Sequence, residues 1–312
     1  MTDPLDIYDY PIKQFLEEYI RQSGHSSSAL EPVIDVAIEH AKQSLPDSMR
    51  TFAPRILRER ITDAAKDYIN AVLSQNKKWQ ECRERIKAYS SIFLAGAGLS
   101  YGSDMPLSNT LKDILVFCGA VDWAELRSDP IKCLAFKQQF NKVCGSKSPS
   151  VSHSLLIRNF PEHIWEIICL NWDDLFEKAA RLDGKPINKC YIDQPVPAQR
   201  YLWKFHGDVE NLGDGNIAGQ GGWIFPDEPG YVFDSFRDYI KRTGLQNQLF
   251  TFVIVGYSEN ESIIYDQIVT LLELTPPRPT FRIGLDLRNF QKDRYIVGTA
   301  EFTLNKILPV HN

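Results

Sequence analysis

The chain of 312 residues is 43% hydrophobic, 24% charged and 12% aromatic. At roughly 150 residues per domain, that fits one large domain or two smaller ones and excludes a disordered, collagen-like or low-complexity protein. Its 35 Lys and Arg against 40 Asp and Glu give a formal charge of −5, without the basic excess of a dedicated nucleic-acid binder, although a local basic groove stays compatible with it.

The first residues, Met1 to Ile7, show neither the basic nor the apolar region of a secretory signal. The most apolar strand-like run, 250–256, is far short of the ~20 residues that span a bilayer. Cys82, Cys118, Cys133, Cys144, Cys169 and Cys190 are widely spaced, with no C-x-x-C pair. They predict buried or half-buried thiols in a reducing cytoplasm rather than a zinc ribbon.

The first ~90 residues read as helical, on apolar residues recurring at three-four spacing. Helices are expected over 7–20, over 30–45 with a stop at Pro46, and over 56–89, where Ile61, Ala64, Ala65, Tyr68, Ile69 and Val72 carry the pattern. This part holds no recognisable chemistry. His25 and His40 are isolated, and Arg55, Arg58 and Arg60 read as a solvated helix face.

The pattern changes at Ser91. Short apolar runs bounded by glycine or polar residues follow at 91–95, 163–170, 201–205, 250–255 and 281–285, as expected of buried parallel strands. Helical stretches separate them at 107–117, 131–143, 153–160, 173–182, 231–242 and 261–274. The expected fold is α/β, a Rossmann-like open parallel sheet with helices on both faces, preceded by a helical segment over 1–87. Residues 88–312 would form the catalytic domain. Such sheets bind ligands beyond the carboxyl ends of their strands, so the residues just after each strand are the candidates.

After the first run stand Gly96, Ala97, Gly98, Leu99 and Ser100. Two glycines one residue apart let backbone N–H groups approach a pyrophosphate. Tyr101 stands where the dehydrogenase G-x-G-x-x-G needs its third glycine, so that fingerprint is absent. After the second run come Asn171 and Asp173, an amide and a carboxylate in the crevice, or alternatively helix caps. After the third, His206 precedes Gly207; it is a candidate general base, or a structural histidine. Gly256 and Ser258 form a second glycine turn, and Asp286 is placed to accept from a ribose hydroxyl or to cap a turn.

Taken in order, Gly-Ala-Gly-x-Ser, Asn-x-Asp, His-Gly and a late Gly-x-Ser resemble the sirtuin-like (silent information regulator-like) NAD-binding domain, over about 88–310. The resemblance implies that Gly96, Ala97, Gly98 and Ser100 line the pyrophosphate. It puts Asn171 and Asp173 beside the nicotinamide and its ribose, makes His206 the catalytic histidine, and brings Gly256 with Ser258 to the adenosine half. The departures are specific. Deacylases of the family carry four zinc cysteines between the His-Gly and the late Gly-x-Ser, and 207–255 contain none. That space holds a glycine-rich loop, 211–222, and then Trp223-Ile224-Phe225-Pro226. Deacylases also carry Ile-Pro-x-Phe-Arg, where this chain has Met105-Pro106-Leu107-Ser108. The variant is similar to zinc-free members of bacterial anti-phage systems. That similarity implies a cytoplasmic NAD glycohydrolase without zinc, which depletes NAD when activated. It further implies a homo-oligomer and a co-encoded partner such as a nucleic-acid-translocating ATPase or an Argonaute-type protein. The alternatives are a deacylase or ADP-ribosyltransferase lacking the zinc module, or a non-catalytic subunit that senses NAD or ADP-ribose.

Overall fold

The computed structural model describes residues 5–23, 27–49, 52–89, 91–103, 108–190, 199–207, 231–245, 248–257, 268 and 279–309. Seven strands, β1 (Ser91–Ala95), β2 (Ile164–Cys169), β3 (Asn188–Cys190), β4 (Tyr201–Lys204), β5 (Thr251–Val255), β6 (Thr280–Gly284) and β7 (Tyr295–Val297), form one parallel sheet in the order β3-β4-β2-β1-β5-β6-β7. Five of these strands match the predicted runs. The other two, β3 and β7, are three residues long, too short to show a period in the sequence. The expected helix over 261–274 lies outside the described residues except for Ile268, as do the loop 211–222 and residues 223–226.

By internal contacts the chain divides into two compact units, residues 1–80 with 283–306, and residues 81–282 with 307–312. The first unit contains α1 (Asp9–Gln22), α2 (Ser27–Ser44) and α3 (Pro54–Leu73), with α4 (Asn76–Ala88) beginning in it. Ile12, Leu16 and Ile20 recur at four-residue intervals along α1 and are fully buried, as are Ile61, Ala65, Tyr68, Ile69 and Val72 of α3. This is the apolar stripe that makes a short helix stable through packing rather than propensity. The Lys42 ammonium is almost fully buried, and carboxylates of Asp6 (2.9 Å), Asp9 (2.8 Å) and Glu39 (3.0 Å) surround it.

The helix expected over 56–89 is broken between α3 and α4. Gln75, at the break, donates from Nε2 to the Val297 carbonyl and accepts the Val297 N–H, both at 2.8 Å. Its carboxamide thereby supplies β7 with the hydrogen bonds a neighbouring strand would give. Three residues on, Lys78 Nζ donates to the carbonyls of Phe290, Lys292 and Tyr295 at 2.7, 3.1 and 2.9 Å. These contacts join 283–306 to the helices of the same unit, together with α11 (Ala300–Ile307), whose Phe302 meets Trp79 edge-on.

The second unit holds α5 (Ser108–Phe117), α6 (Trp123–Ser128) and α7 (Pro130–Cys144), and its strands β1 and β5 are buried along their whole lengths. Alternate residues, Ile92 and Leu94, Ile168, Tyr201 and Trp203, and Phe252 and Ile254, enter one cluster with Phe236 and Tyr239 of α10 (Tyr231–Thr243). This is the period-2 signature of a pleated sheet. Glu166, in phase with Ile168 on β2, points into the same aromatic cluster. It accepts from Tyr201 N (3.0 Å), Trp203 Nε1 (2.7 Å) and the Tyr239 hydroxyl (2.6 Å), and lies 3.8 Å from the Arg200 guanidinium.

Burial pushes the Glu166 carboxyl up to about 7, against donors that favour the ionised form. Between its ordinary value of 4.5 and about 7, the folded chain holds a proton here that the unfolded chain has lost. Stability therefore falls as pH rises through that window. Glu166→Gln is expected to flatten this fall, by up to about 3 kcal/mol at pH 8, in urea unfolding measured from pH 4.5 to 8. An unchanged pH profile would show that Glu166 does not titrate abnormally.

Candidate active site

The order of the sheet sets where a ligand belongs. From β1 the chain runs to β2, β3 and β4 on one side, then crosses back to β5 on the other side of β1. The crevice at such a reversal, beyond the carboxyl ends of the strands, is where open α/β sheets bind ligands. Here it lies between Gly96–Gly98, after β1, and Gly256, after β5.

These turns are in backbone-to-backbone contact. Gly96 N–H donates to Val255 O at 3.0 Å and Gly98 N–H to Gly256 O at 2.7 Å. A Cβ on Gly96 would stand 2.7 Å from Gly256 O, and one on Gly98 would stand 2.9 Å from Gly256 Cα. Gly256 has φ +65°, and a Cβ there would lie 2.1 Å from Leu99 N. The glycines therefore serve first to bring the two turns together. Gly98 is exposed and Ala97 half-buried, so this backbone also faces the crevice.

Beside the turns, the Ser100 hydroxyl is the hub of a buried network. Asn171 Nδ2 donates to it at 3.1 Å and to Gly96 O at 3.2 Å. The Gly96 carbonyl can only accept, which fixes the orientation of the amide. Both amide protons are thus used, and only the Asn171 carbonyl oxygen is left to act on a ligand, as an acceptor. Ser100 donates to Asp173 Oδ2 at 3.2 Å, while Asp173 Oδ1 accepts Leu175 N–H (3.1 Å) at the start of α9 (Leu175–Leu182). One carboxylate thus both tethers the helix start and holds the serine. Trp172, between these two residues, turns the other way into an aromatic cluster with Trp123, Phe136 and Phe140. His206 meets its ring edge-on, with centroids 6.5 Å apart.

Two members of the network escaped the sequence reading. His153, the third residue of α8 (Val151–Asn159), is fully buried and accepts Ser150 N–H at Nδ1 (3.2 Å). Its proton therefore sits on Nε2, which faces Ser100 Oγ at 3.4 Å. Burial pulls this imidazole down to about 4, so it is neutral at physiological pH. Lys204, the last residue of β4, is also fully buried; its ammonium donates to the Asp173 carbonyl and lies 3.8 Å from Glu177. It locks the Asn171–Asp173 turn to the strand that leads into His206. A helix-start histidine and a strand-end lysine give no signal in one sequence that distinguishes them from ordinary caps and snorkelling side chains.

The sequence-derived candidates thus fall into three groups. Gly96, Ser100, Asn171 and Asp173 are joined by direct hydrogen bonds, Gly98 bonds Gly256, and His206 adjoins through Trp172. Asp286 belongs to the other compact unit. Arg288 there grips its carboxylate at 2.9 Å and holds it below its ordinary range, and the same carboxylate accepts the Arg288 N–H at 2.9 Å. Ser258 lies outside the described residues. Among the described residues, one group of three acidic or metal-ligating side chains converges, Asp6, Asp9 and Glu39, and the Lys42 ammonium already occupies it. All six cysteines are free thiols, and no described helix is long and apolar enough to cross a membrane.

No family model and no curated protein matches the sequence. Solved structures do match. A mutant of a Sir2 homologue in complex with ADP-ribose aligns with a TM-score of 0.51 at 13% identity, over 73% of this chain and 95% of that one. A triple mutant of Sir2 homologues in complex with 2′-O-acetyl ADP-ribose aligns with a TM-score of 0.50 at 14% identity, over 73% and 94%. The fold is sirtuin-like. At these identities the likeness is one of architecture. It spans nearly the whole of each neighbour.

Proposed function

We propose that this protein is an NAD glycohydrolase, cleaving NAD to ADP-ribose and nicotinamide. The observation that carries the reading is the junction of the Gly96–Gly98 and Gly256 turns with the Asn171–Ser100–Asp173 network at the reversal of the sheet. It offers approachable backbone for a pyrophosphate beside a buried acceptor and carboxylate, with an imidazole near by. A similar fold holds ADP-ribose in a Sir2 homologue.

The bond from nicotinamide to ribose breaks through an oxocarbenium-like transition state, as in glycosides. Nicotinamide leaves from a cationic nitrogen as a neutral molecule, so no acid is required. The site has to hold the ribose, favour positive charge at C1′ and present water. Asn171 Oδ1 accepts from a ribose hydroxyl or the attacking water. Asp173 supplies negative charge and keeps Ser100 in place. His206 takes the proton from the water or a ribose hydroxyl, a contribution of about 10²–10⁴ in rate. In this reading the enzyme works in the reducing cytoplasm as a homo-oligomer. It is a defence effector that depletes NAD when a co-encoded partner activates it.

The test is nicotinamide release from NAD by the purified chain, with and without an acylated peptide and with the products of neighbouring genes. Release without peptide is expected. Release that requires the peptide would make the protein a deacylase, and binding without release would make it a sensor. Elemental analysis is expected to find no stoichiometric zinc; one zinc per chain would restore the deacylase reading.

A further inference from the structure

The strands that carry the crevice at their carboxyl ends also frame a second concave site at their amino ends. Lys87 and Tyr89 precede β1, Glu162 and His163 precede β2, and Leu249 precedes β5. With Trp165 of β2 they line a cavity of about 410 Å³, within the usual range for small-molecule sites. It lies wholly in the second compact unit. One strand length, five residues in β1, separates it from the glycine turns, about 16 Å at strand rise.

We infer that this cavity binds a small molecule with a planar ring, one anionic group and one hydrogen-bond donor. Trp165 and Tyr89 offer aromatic surface, and Leu249, 55% exposed, offers an aliphatic wall. The Arg200 guanidinium carbon lies 4.5 Å from the centroid of the Trp165 ring. A cation already over an aromatic ring takes up the attraction its face has for positive charge. The indole is therefore matched to stacking with an electron-rich ring rather than to a second cation. Lys87 and Glu162 are both exposed and make no ion pair among the described residues. Lys87 is placed to meet a carboxylate or phosphate, and Glu162 to accept from an amine. A purine nucleotide and an aromatic amino acid share this chemistry.

The full chain labelled with 5-fluorotryptophan separates the two sites by ¹⁹F NMR, with the Trp165→Phe and Trp172→Phe variants assigning the two resonances. AMP and L-tryptophan are the probes, and ribose 5-phosphate is the control for an anion without a ring. The Trp165 resonance is expected to move saturably with AMP or L-tryptophan, and the responding probe identifies the source. The Trp172 resonance should stay in place, and ribose 5-phosphate should have no effect. Lys87→Glu should weaken binding about fivefold, and Leu249→Arg should abolish it by filling the cavity. Both positions are exposed, and an unshifted Trp172 resonance reports that folding is intact. The inference is overturned if neither probe moves Trp165 at millimolar concentration, if only Trp172 responds, or if Lys87→Glu binds as tightly as the parent. The NAD reading is scored separately, by the response of Trp172 to NAD, so failure of one leaves the other standing.

Discussion

Gly256→Ala is expected to destabilise the protein by about 3–5 kcal/mol, with a fall in melting temperature on the order of 10 °C. Two costs add. A φ of +65° costs a Cβ-bearing residue about 1–2 kcal/mol. The new methyl would also stand 2.1 Å from Leu99 N and 2.6 Å from the Gly98 carbonyl carbon. Gly96 N–H is bonded to Val255 O at 3.0 Å and Gly98 N–H to Gly256 O at 2.7 Å, so the β1 turn cannot move aside without losing those bonds. Gly119→Ala separates the terms, because Gly119 has φ +75° with nothing within 4 Å of its Cβ. It should cost only the conformational part. Gly98→Ala should fall between them, since its closest contact is 2.9 Å and no positive φ is involved. Thermal melts of the three variants check the order, and a Gly256→Ala protein that melts with Gly119→Ala would refute the close approach of the two turns. The glycine exchange should also abolish ligand binding at the turns in any variant that still folds, because the displaced backbone is the proposed phosphate cradle.

The glycines show what one sequence reveals and what it hides. Their spacing after an apolar run predicts a sharp turn at each strand end, because few other residues tolerate such backbones. That the two turns pack against each other is not readable, since it depends on β5 lying beside β1, a pairing across about 160 residues that no local pattern encodes. The same limit applies to Gln75 and Lys78. Locally they continue a helical period, yet their side chains bond to backbone more than 200 residues later, and Gln75 stands at the break between α3 and α4. Asp173 shows another limit. One oxygen plays the capping part that the sequence suggests, accepting Leu175 N–H, while the other accepts from the Ser100 hydroxyl, a partner 73 residues away that no local pattern announces. Glu166 reads as a polar interruption within an apolar run. Its significance depends on Trp203 and Tyr239, which come from two other elements.

Asn171→Ala and His206→Ala are each expected to lower nicotinamide release by about 10²-fold or more, for reasons that other measurements can tell apart. Asn171 holds Gly96 O and Ser100 Oγ with its two amide protons. Its removal takes one donor from each of these buried acceptors, leaving Gly96 O with Leu99 N–H (3.0 Å) and Ser100 Oγ with His153 Nε2 (3.4 Å), at a cost of about 1 kcal/mol, so a modestly lower melting temperature should accompany the loss of turnover. NAD affinity should fall as well, because Gly96 belongs to the turn that would receive the pyrophosphate. His206 is buried against the edge of Trp172. Its truncation should remove proton transfer while the glycine turns and the Ser100 network stay in place, so turnover should collapse with NAD binding nearly unchanged. Ser100→Ala completes the set. It removes the hydroxyl that joins Asn171, His153 and Asp173, and should reproduce the Asn171 phenotype rather than that of His206. Nicotinamide release, NAD binding and thermal melts on the three variants decide the matter. Near-parental turnover in both Asn171→Ala and His206→Ala would place the chemistry elsewhere. Turnover lost only in step with unfolding would make these residues structural, a buried amide and a core histidine without a catalytic role.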